Sequence, residues 1–571
     1  MNSEGGMLIF RVIRIASVML LLGACAQNTI QSTLSDGERV ARQELWEQQT
    51  GVPLFEGMGE HHHAITTRHP GAQRYFNQGL VLSFAYNHAE SVRAFKAAQM
   101  LDEHCAMCFW GEALALGPNI NVTYQGKAVM SDEARLQAYA ALQKAIALKT
   151  NVSQRERDYI DALAKRYYGD LSAERDLLDQ DYMKAMRNLF EKYPDDDDAA
   201  TLYVESMMTL MPWDYWIDPD TPKLLTAEVI RVLEQVLERT PHHPLGIHLY
   251  IHAMESSSTP ERAERAADIL LDLVPGAGHL VHMPSHTFWR VGRYNDAAIA
   301  NSRAVTVDES YIASCNAHGF YPAAYYPHNL HFLWAALSME GRSQEALDTA
   351  RKVAASVPDD LIVEFPVVEF YKTIPMLSLS DFGKWQAILD EPLPPEQFVY
   401  SNAIWRYARA LAQINLNRLE AAQTEYKLLN TAINDESIQK LDELGYPASM
   451  LLQITDKLIS GELLIVQNKQ EQAIAAFKEA VAIQDNLPYM EPPFWHYPTR
   501  HSLGKALMAS GDYAQAELVY RVNLSNYPKN GWGLFGLMKS LEAQGKSYAE
   551  INDAFSQAWQ RADVVLKASR F

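Results

Sequence analysis

From residue 70 onward, apolar side chains recur with the three-to-four-residue spacing of amphipathic helices, and the strict alternation of half-buried strands is scarce. The helical stretches come in pairs, split by Gly or Asn in the middle and closed by Pro. Two windows show that this pairing repeats. Between Tyr497 and Asn530 stand Gly504, Gly511, Ala516, Tyr520 and Pro528; between Ile454 and Leu487, at matching offsets, stand Gly461, Ala473, Phe477 and Ala480. The same register recurs in units beginning at Ala72, Pro244, Gly278 and Pro327 and near Ala403, the first of them carrying Gly79, Ser91, Phe95 and Ala98. A fixed period of this kind marks a stacked array, in which no unit buries its own apolar face and each leans on its neighbours.

The recurring small residues, the single aromatic and the closing Pro resemble the tetratricopeptide repeat, a helix-turn-helix unit of about 34 residues. The resemblance implies an all-α, right-handed superhelical solenoid of antiparallel helix pairs, with the first helix of each unit lining a concave binding surface. It covers most of residues 70–565 and is strongest at 244–360 and 454–545. Insertions at 312–326 and 488–496 interrupt it and read as caps over the groove or as simple embellishments. HMPSH followed by RVGRY, YYPHN before HFLW, CAMC before WGEAL, and GWGLFGL near the end look like a bacterial group of tetratricopeptide lipoproteins. That likeness implies a fold and a surface, not a reaction. The expected organisation is a signal peptide at 1–24, a tether and cap at 25–70, repeats with insertions at 71–240, a His-rich centre at 241–360 and further repeats at 361–571.

Composition narrows the possibilities. With 571 residues, 48% hydrophobic and 21% charged, the chain is a folded protein with ample core, and disorder is excluded as a global description. Its formal charge of -20 and the lack of a basic segment argue against nucleic acid as a partner. At the start, Arg11 and Arg14 precede an apolar run, Ile15 to Leu22, too short to cross about 30 Å of hydrocarbon. The run closes with Leu22, Gly23, Ala24 and Cys25, which resembles a bacterial lipobox. The resemblance implies cleavage before Cys25, a lipid anchor on its thiol, and residence in the cell envelope. Ala26 after it favours the outer membrane, facing the periplasm. Cys105, Cys108 and Cys315 remain, an odd number. A local Cys105–Cys108 disulfide or plain packing is expected, with metal or redox work as the alternative. Phe109 stands where haem attachment requires His.

Histidine placement is the most informative feature. Ten of the 18 His fall between His242 and His331. His248, His252 and Glu255 are spaced to share one helix face; His279, His282 and His286 form a second stripe, and His328 and His331 a third. In the repeat family these stripes lie on three successive first helices, so all eight side chains would face one concavity, from helices about 8 to 10 Å apart. The preceding unit would add Glu205 and Met208. Imidazole suits a transition metal, Zn or Cu, less readily Fe or Ni. The excess of ligands suggests two ions, or one ion with an outer ring of orienting groups. Met208, Met254 and Met283 would favour copper if they coordinated, though core packing is their default role.

Two functional expectations follow. The first is a groove that binds an envelope protein or peptide, or a small ligand. Without metal, its protonated His could recognise an acidic peptide or an anion. The second is a metal-dependent enzyme, hydrolytic or oxidative, with Glu255 or Glu205 as general base. A scaffold should keep an open channel, whereas an enzyme should bury its His beneath the 312–326 insertion. Pro284 is expected to turn His279 and His282 away from the ideal face. His61, His62 and His63 with His69 read as a polar cap on the first pair, or as a second metal site. Asp195 to Asp198 read as a solvated helix cap, and the 491–498 loop, with His496 and His501, as a cover for the far end of the groove. No dinucleotide loop, GxSxG, P-loop or HExxH is present.

Overall fold

The computed structural model describes residues 36–121, 131–315 and 321–571. The signal segment and Cys25 lie outside the described residues. Helices follow one another in antiparallel pairs: Pro70–Phe84 with His88–Leu101, Leu224–Arg239 with Pro244–Met254, Tyr326–Met339 with Ser343–Ala355, and Ala448–Val466 with Gln470–Asp485. Among the described residues the strands are one short antiparallel pairing, Trp216–Asp218 with Thr221–Pro222. The architecture is the all-α solenoid that the periodicity predicts.

The repeat positions explain the packing within pairs. A glycine on the first helix receives the aromatic ring of the second: Phe95 lies against Gly79, Phe477 against Gly461 and Tyr520 against Gly504. A Cβ at Gly461 or Gly504 would come within 2.6 Å and 2.4 Å of those rings, so a side chain there would force the two helices apart. The turns inside the pairs need a left-handed residue. Gly511 supplies it with φ 83°, and Tyr86 takes it at φ 54° with its ring buried.

The array closes on itself. The segment before the first pair crosses the central units, where Gly276 N–H donates to the Gly57 carbonyl at 2.9 Å. From the other end, the Trp532 indole donates to the Ser338 carbonyl at 3.0 Å, Asp563 accepts from the Ser343 and Gln344 amides, and Arg570 pairs with Asp381 at 2.5 Å. One apolar core consequently runs through the chain from Phe76 to Leu566. Cys105 and Cys108 form a disulfide, and Cys315 is a free, half-buried thiol. Among the described residues no helix is long and apolar enough to cross a membrane.

Candidate metal centre

Three successive first helices deliver the imidazoles. Pro244–Met254 carries His248 and His252, and Glu255 caps its end. Gly278–His282 and Pro284–Arg290 carry His279, His282 and His286; they meet at Met283, which keeps right-handed helical angles (φ -50°, ψ -39°). Pro284 therefore leaves the stripe intact, contrary to expectation, because a proline at the first position of a helix donates no hydrogen bond that the fold would miss. Tyr326–Met339 contributes His328.

The side chains form two triads. Donor atoms of His248, His252 and His279 lie within 4.8 Å of one another, as do those of His282, His286 and His328. The triads are adjacent, with His279 and His282 rings 5.8 Å apart and His252 and His286 rings 5.4 Å apart. A third group joins Glu255, His286 and Glu491. Five of the six triad imidazoles are buried, and His328 is half-buried.

The hydrogen bonds on the outer nitrogens set the direction of the inner ones. Nδ1 of His248 donates to the Phe84 carbonyl at 2.7 Å, and Nδ1 of His252 to Glu255 at 3.1 Å. Nδ1 of His282 donates to Asn301 Oδ1 at 2.6 Å, and the Asn301 amide is oriented by its own bond to the Ala297 carbonyl. Nδ1 of His286 faces Glu255 at 2.7 Å and Glu491 at 3.1 Å. With the proton held at Nδ1, Nε2 of His248, His252 and His282 turns a lone pair inward. Nε2 of His248 and of His252 and both ring nitrogens of His279 are buried without a hydrogen-bond partner. Nε2 of His282 and Nε2 of His286 stand 3.0 Å apart. Such a contact requires a shared proton or a cation.

Burial pushes His248, His279, His282 and His328 well below the usual imidazole range and keeps them neutral. For His286 burial also disfavours charge, but Glu255 and Glu491 outweigh it and hold the ring up at about 10. Glu255 goes the other way: His286 and His252 overcome its burial and hold it ionised.

The surroundings close over the centre. The Tyr325 ring lies 4.6 Å from His279 and Tyr86 4.6 Å from His248. Tyr321 accepts from the His279 amide at 3.1 Å and donates to Asp308 at 2.9 Å, so the described part of the 312–326 insertion sits on the cluster. The later loop adds Tyr489, which donates to the Glu255 carbonyl at 2.9 Å, and Glu491. Arg290 also donates to that carbonyl. Trp213, 46% exposed and in a left-handed conformation (φ 63°), meets His252 edge to face with the ring centres 4.9 Å apart.

Two of the expected groups sit apart. His331 stacks flat on Trp334 at 5.5 Å and touches Phe370 and Tyr371, so it joins an aromatic wall and, among the described residues, none of the metal-ligand groupings. Glu205 is buried near Tyr86 and Arg166, and burial raises it to about 7, but it too belongs to no grouping. Glu491 was missed: the loop reads as a cover, and nothing in its local pattern marks a carboxylate that reaches back to His286.

A second cluster surrounds Asp198. His61 Nε2 lies 3.0 Å and His243 Nε2 3.2 Å from its Oδ1, and His63 Nδ1 2.6 Å from its Oδ2. The expectation of a solvated cap fails for this residue: Asp196 caps the helix Asp197–Thr209, and Asp198 turns inward. His69 instead caps the helix Pro70–Phe84. His496 pairs with Asp381, and His501 meets Asn523.

No known protein family and no curated protein matches the chain. Solved structures do. The human IFIT1 dimer with m7Gppp-AAAA is 14% identical with a TM-score of 0.31, over 93% of this chain and 96% of that one. The P58(IPK) TPR domain is 12% identical with a TM-score of 0.21, over 83% and 98%. The APC/C hetero-tetramer Cut9-Hcn1 is 12% identical with a TM-score of 0.27, over 85% and 90%. The fold is a tetratricopeptide-like solenoid. That statement rests on the helix pairs themselves, and at these scores no ligand or superhelical path transfers from the neighbours.

Proposed function

We propose that this solenoid is a transition-metal protein whose groove is folded shut around a two-ion centre formed by the triads His248–His252–His279 and His282–His286–His328. The observation that carries the reading is the set of inner nitrogens: Nδ1 of His248, His252 and His282 is tied to an acceptor, so three Nε2 atoms present lone pairs to one buried space, beside His279 with neither ring nitrogen bonded. Outer partners of this kind orient metal-binding His throughout protein chemistry. Zn and Cu suit the donors best, with Fe and Ni behind them. Closure of the groove favours small molecules over a peptide at the centre, so a protein or peptide partner would dock elsewhere on the solenoid.

A metal-dependent enzyme, hydrolytic or oxidative, is the second reading. It is supported by burial of the cluster beneath the two loops and by the Glu255–Glu491 pair beside it. Glu255 is held ionised and ties down two His, which suits an orienting role better than that of a base. The lipobox-like Leu22–Cys25 supports anchoring in a bacterial envelope, facing the periplasm from the outer membrane. A Cys25→Ser variant should move to the soluble fraction.

Elemental analysis of the exported protein tests the metal reading, beside a His248→Ala, His282→Ala double variant of unchanged helicity. Bound transition metal that the variant loses supports it. Protein that stays metal-free after reloading with Zn and Cu overturns it.

A further inference from the structure

Resting on that reading, we infer that the two triads are built for a pair of monovalent copper ions, one in each. Three observations converge on it. Within each triad the donors are imidazole nitrogens alone, and the nearby carboxylates are engaged at outer Nδ1 positions, Glu255 on His252 and His286 and Glu491 on His286. All-imidazole sets suit copper and zinc, whereas hard divalent ions seek oxygen.

Charge supplies the second observation. The buried carboxylates in contact with the cluster are Glu255 and Glu491, and the Arg290 guanidinium donates to the Glu255 and Ser257 carbonyls beside them. A monovalent pair brings two fewer positive charges than a divalent pair into this dry interior beside Arg290, where uncompensated charge is strongly disfavoured.

Room for further ligands is the third. Zinc asks for four ligands, and a catalytic zinc keeps one position for water. Here Tyr86 and Tyr325 pack on His248 and His279 at 4.6 Å, Trp213 on His252 at 4.9 Å, and Phe332 on His286 and His282 at 4.8 and 5.1 Å. Monovalent copper is content with three nitrogens. A centre so built is poorly suited to activating water.

The test uses the mature full-length protein, stripped of metal and loaded without oxygen. Cu(I) is offered in the presence of bathocuproine disulfonate, and Zn(II) is offered separately and then challenged with equimolar Cu(I). Two Cu(I) per chain should survive the chelator with a three-coordinate cuprous absorption edge, and bound zinc should fall about tenfold or more on challenge. His248→Ala and His282→Ala should each remove one copper, while His331→Ala, outside the triads, keeps both. Zinc that resists Cu(I), or a single copper per chain, overturns the inference and leaves the metal reading standing. Protein that binds neither ion overturns both.

Discussion

Two clusters of buried imidazoles lie on either side of Phe84, whose carbonyl receives His248 and whose ring packs on His61 and His243. They look alike as groupings: three or more His with carboxylate nearby. They differ in which nitrogen is free. In the central cluster Nδ1 of His248, His282 and His252 donates to Phe84, Asn301 and Glu255, and the Nε2 atoms of these rings are left as acceptors. Around Asp198 the order is reversed at His243. Its Nδ1 accepts the Gly246 amide as a helix cap, at 3.2 Å, so its proton sits on Nε2 and points at Asp198. That nitrogen is already a donor and has no lone pair for an ion. His proximity is therefore a poor guide to metal sites; the partner of the second nitrogen decides. Asp198 is a latch that ties the N-terminal strap to the helix Asp197–Thr209, held well below the usual carboxylate range against its burial by His61, His243 and His63.

The sharpest way to break this contrast is to remove one His from each cluster. His286→Ala should abolish the ion of the second triad, and His243→Ala should leave metal content unchanged; elemental analysis of both folded variants reads the difference. Next in size is Asp198→Asn, which leaves three imidazoles around a neutral side chain. It should cost about 3 kcal/mol of stability by denaturant unfolding, without loss of metal. Asn301→Leu removes only the acceptor that fixes the His282 tautomer. It should weaken metal binding in the second triad by roughly 10- to 100-fold in a chelator competition while leaving the first triad unaltered.

The smallest effect concerns pH. His63 is raised above its ordinary 6.5: burial opposes the charge, but Asp198 prevails. Its contribution to the latch is thus full below 6.5 and fades as pH rises through the raised value, whereas that of Asp198 is present above 3.8 and fades only in acid. Hydrogen exchange of residues 52–69 should accordingly quicken as pH is raised past neutrality, beyond the intrinsic rate increase, and Asp198→Asn should erase that dependence.

Much of this was legible in the chain. Gly461 with Phe477 and Gly504 with Tyr520 mark the helix pairs because a small residue must face each ring, and the His stripes follow from helical spacing. Seven of the eight expected side chains do meet. His331 does not, because its offset from His328 turns it toward Trp334, a neighbour that spacing along one helix cannot reveal. The remaining pieces come from closure of the superhelix. Glu491 reaches His286 across 205 residues and Arg570 reaches Asp381 across 189, contacts set by the path of the whole array. The tautomers depend on Phe84, Asn301 and Gly246, groups that carry no sequence signal of their own.

The most direct measurement is anomalous diffraction at the copper and zinc absorption edges from crystals of metal-loaded protein. Two peaks are expected, one bounded by His248, His252 and His279 and the other by His282, His286 and His328, with nothing at Asp198. A peak between His61, His243 and Asp198, or featureless density within both triads, would contradict the account.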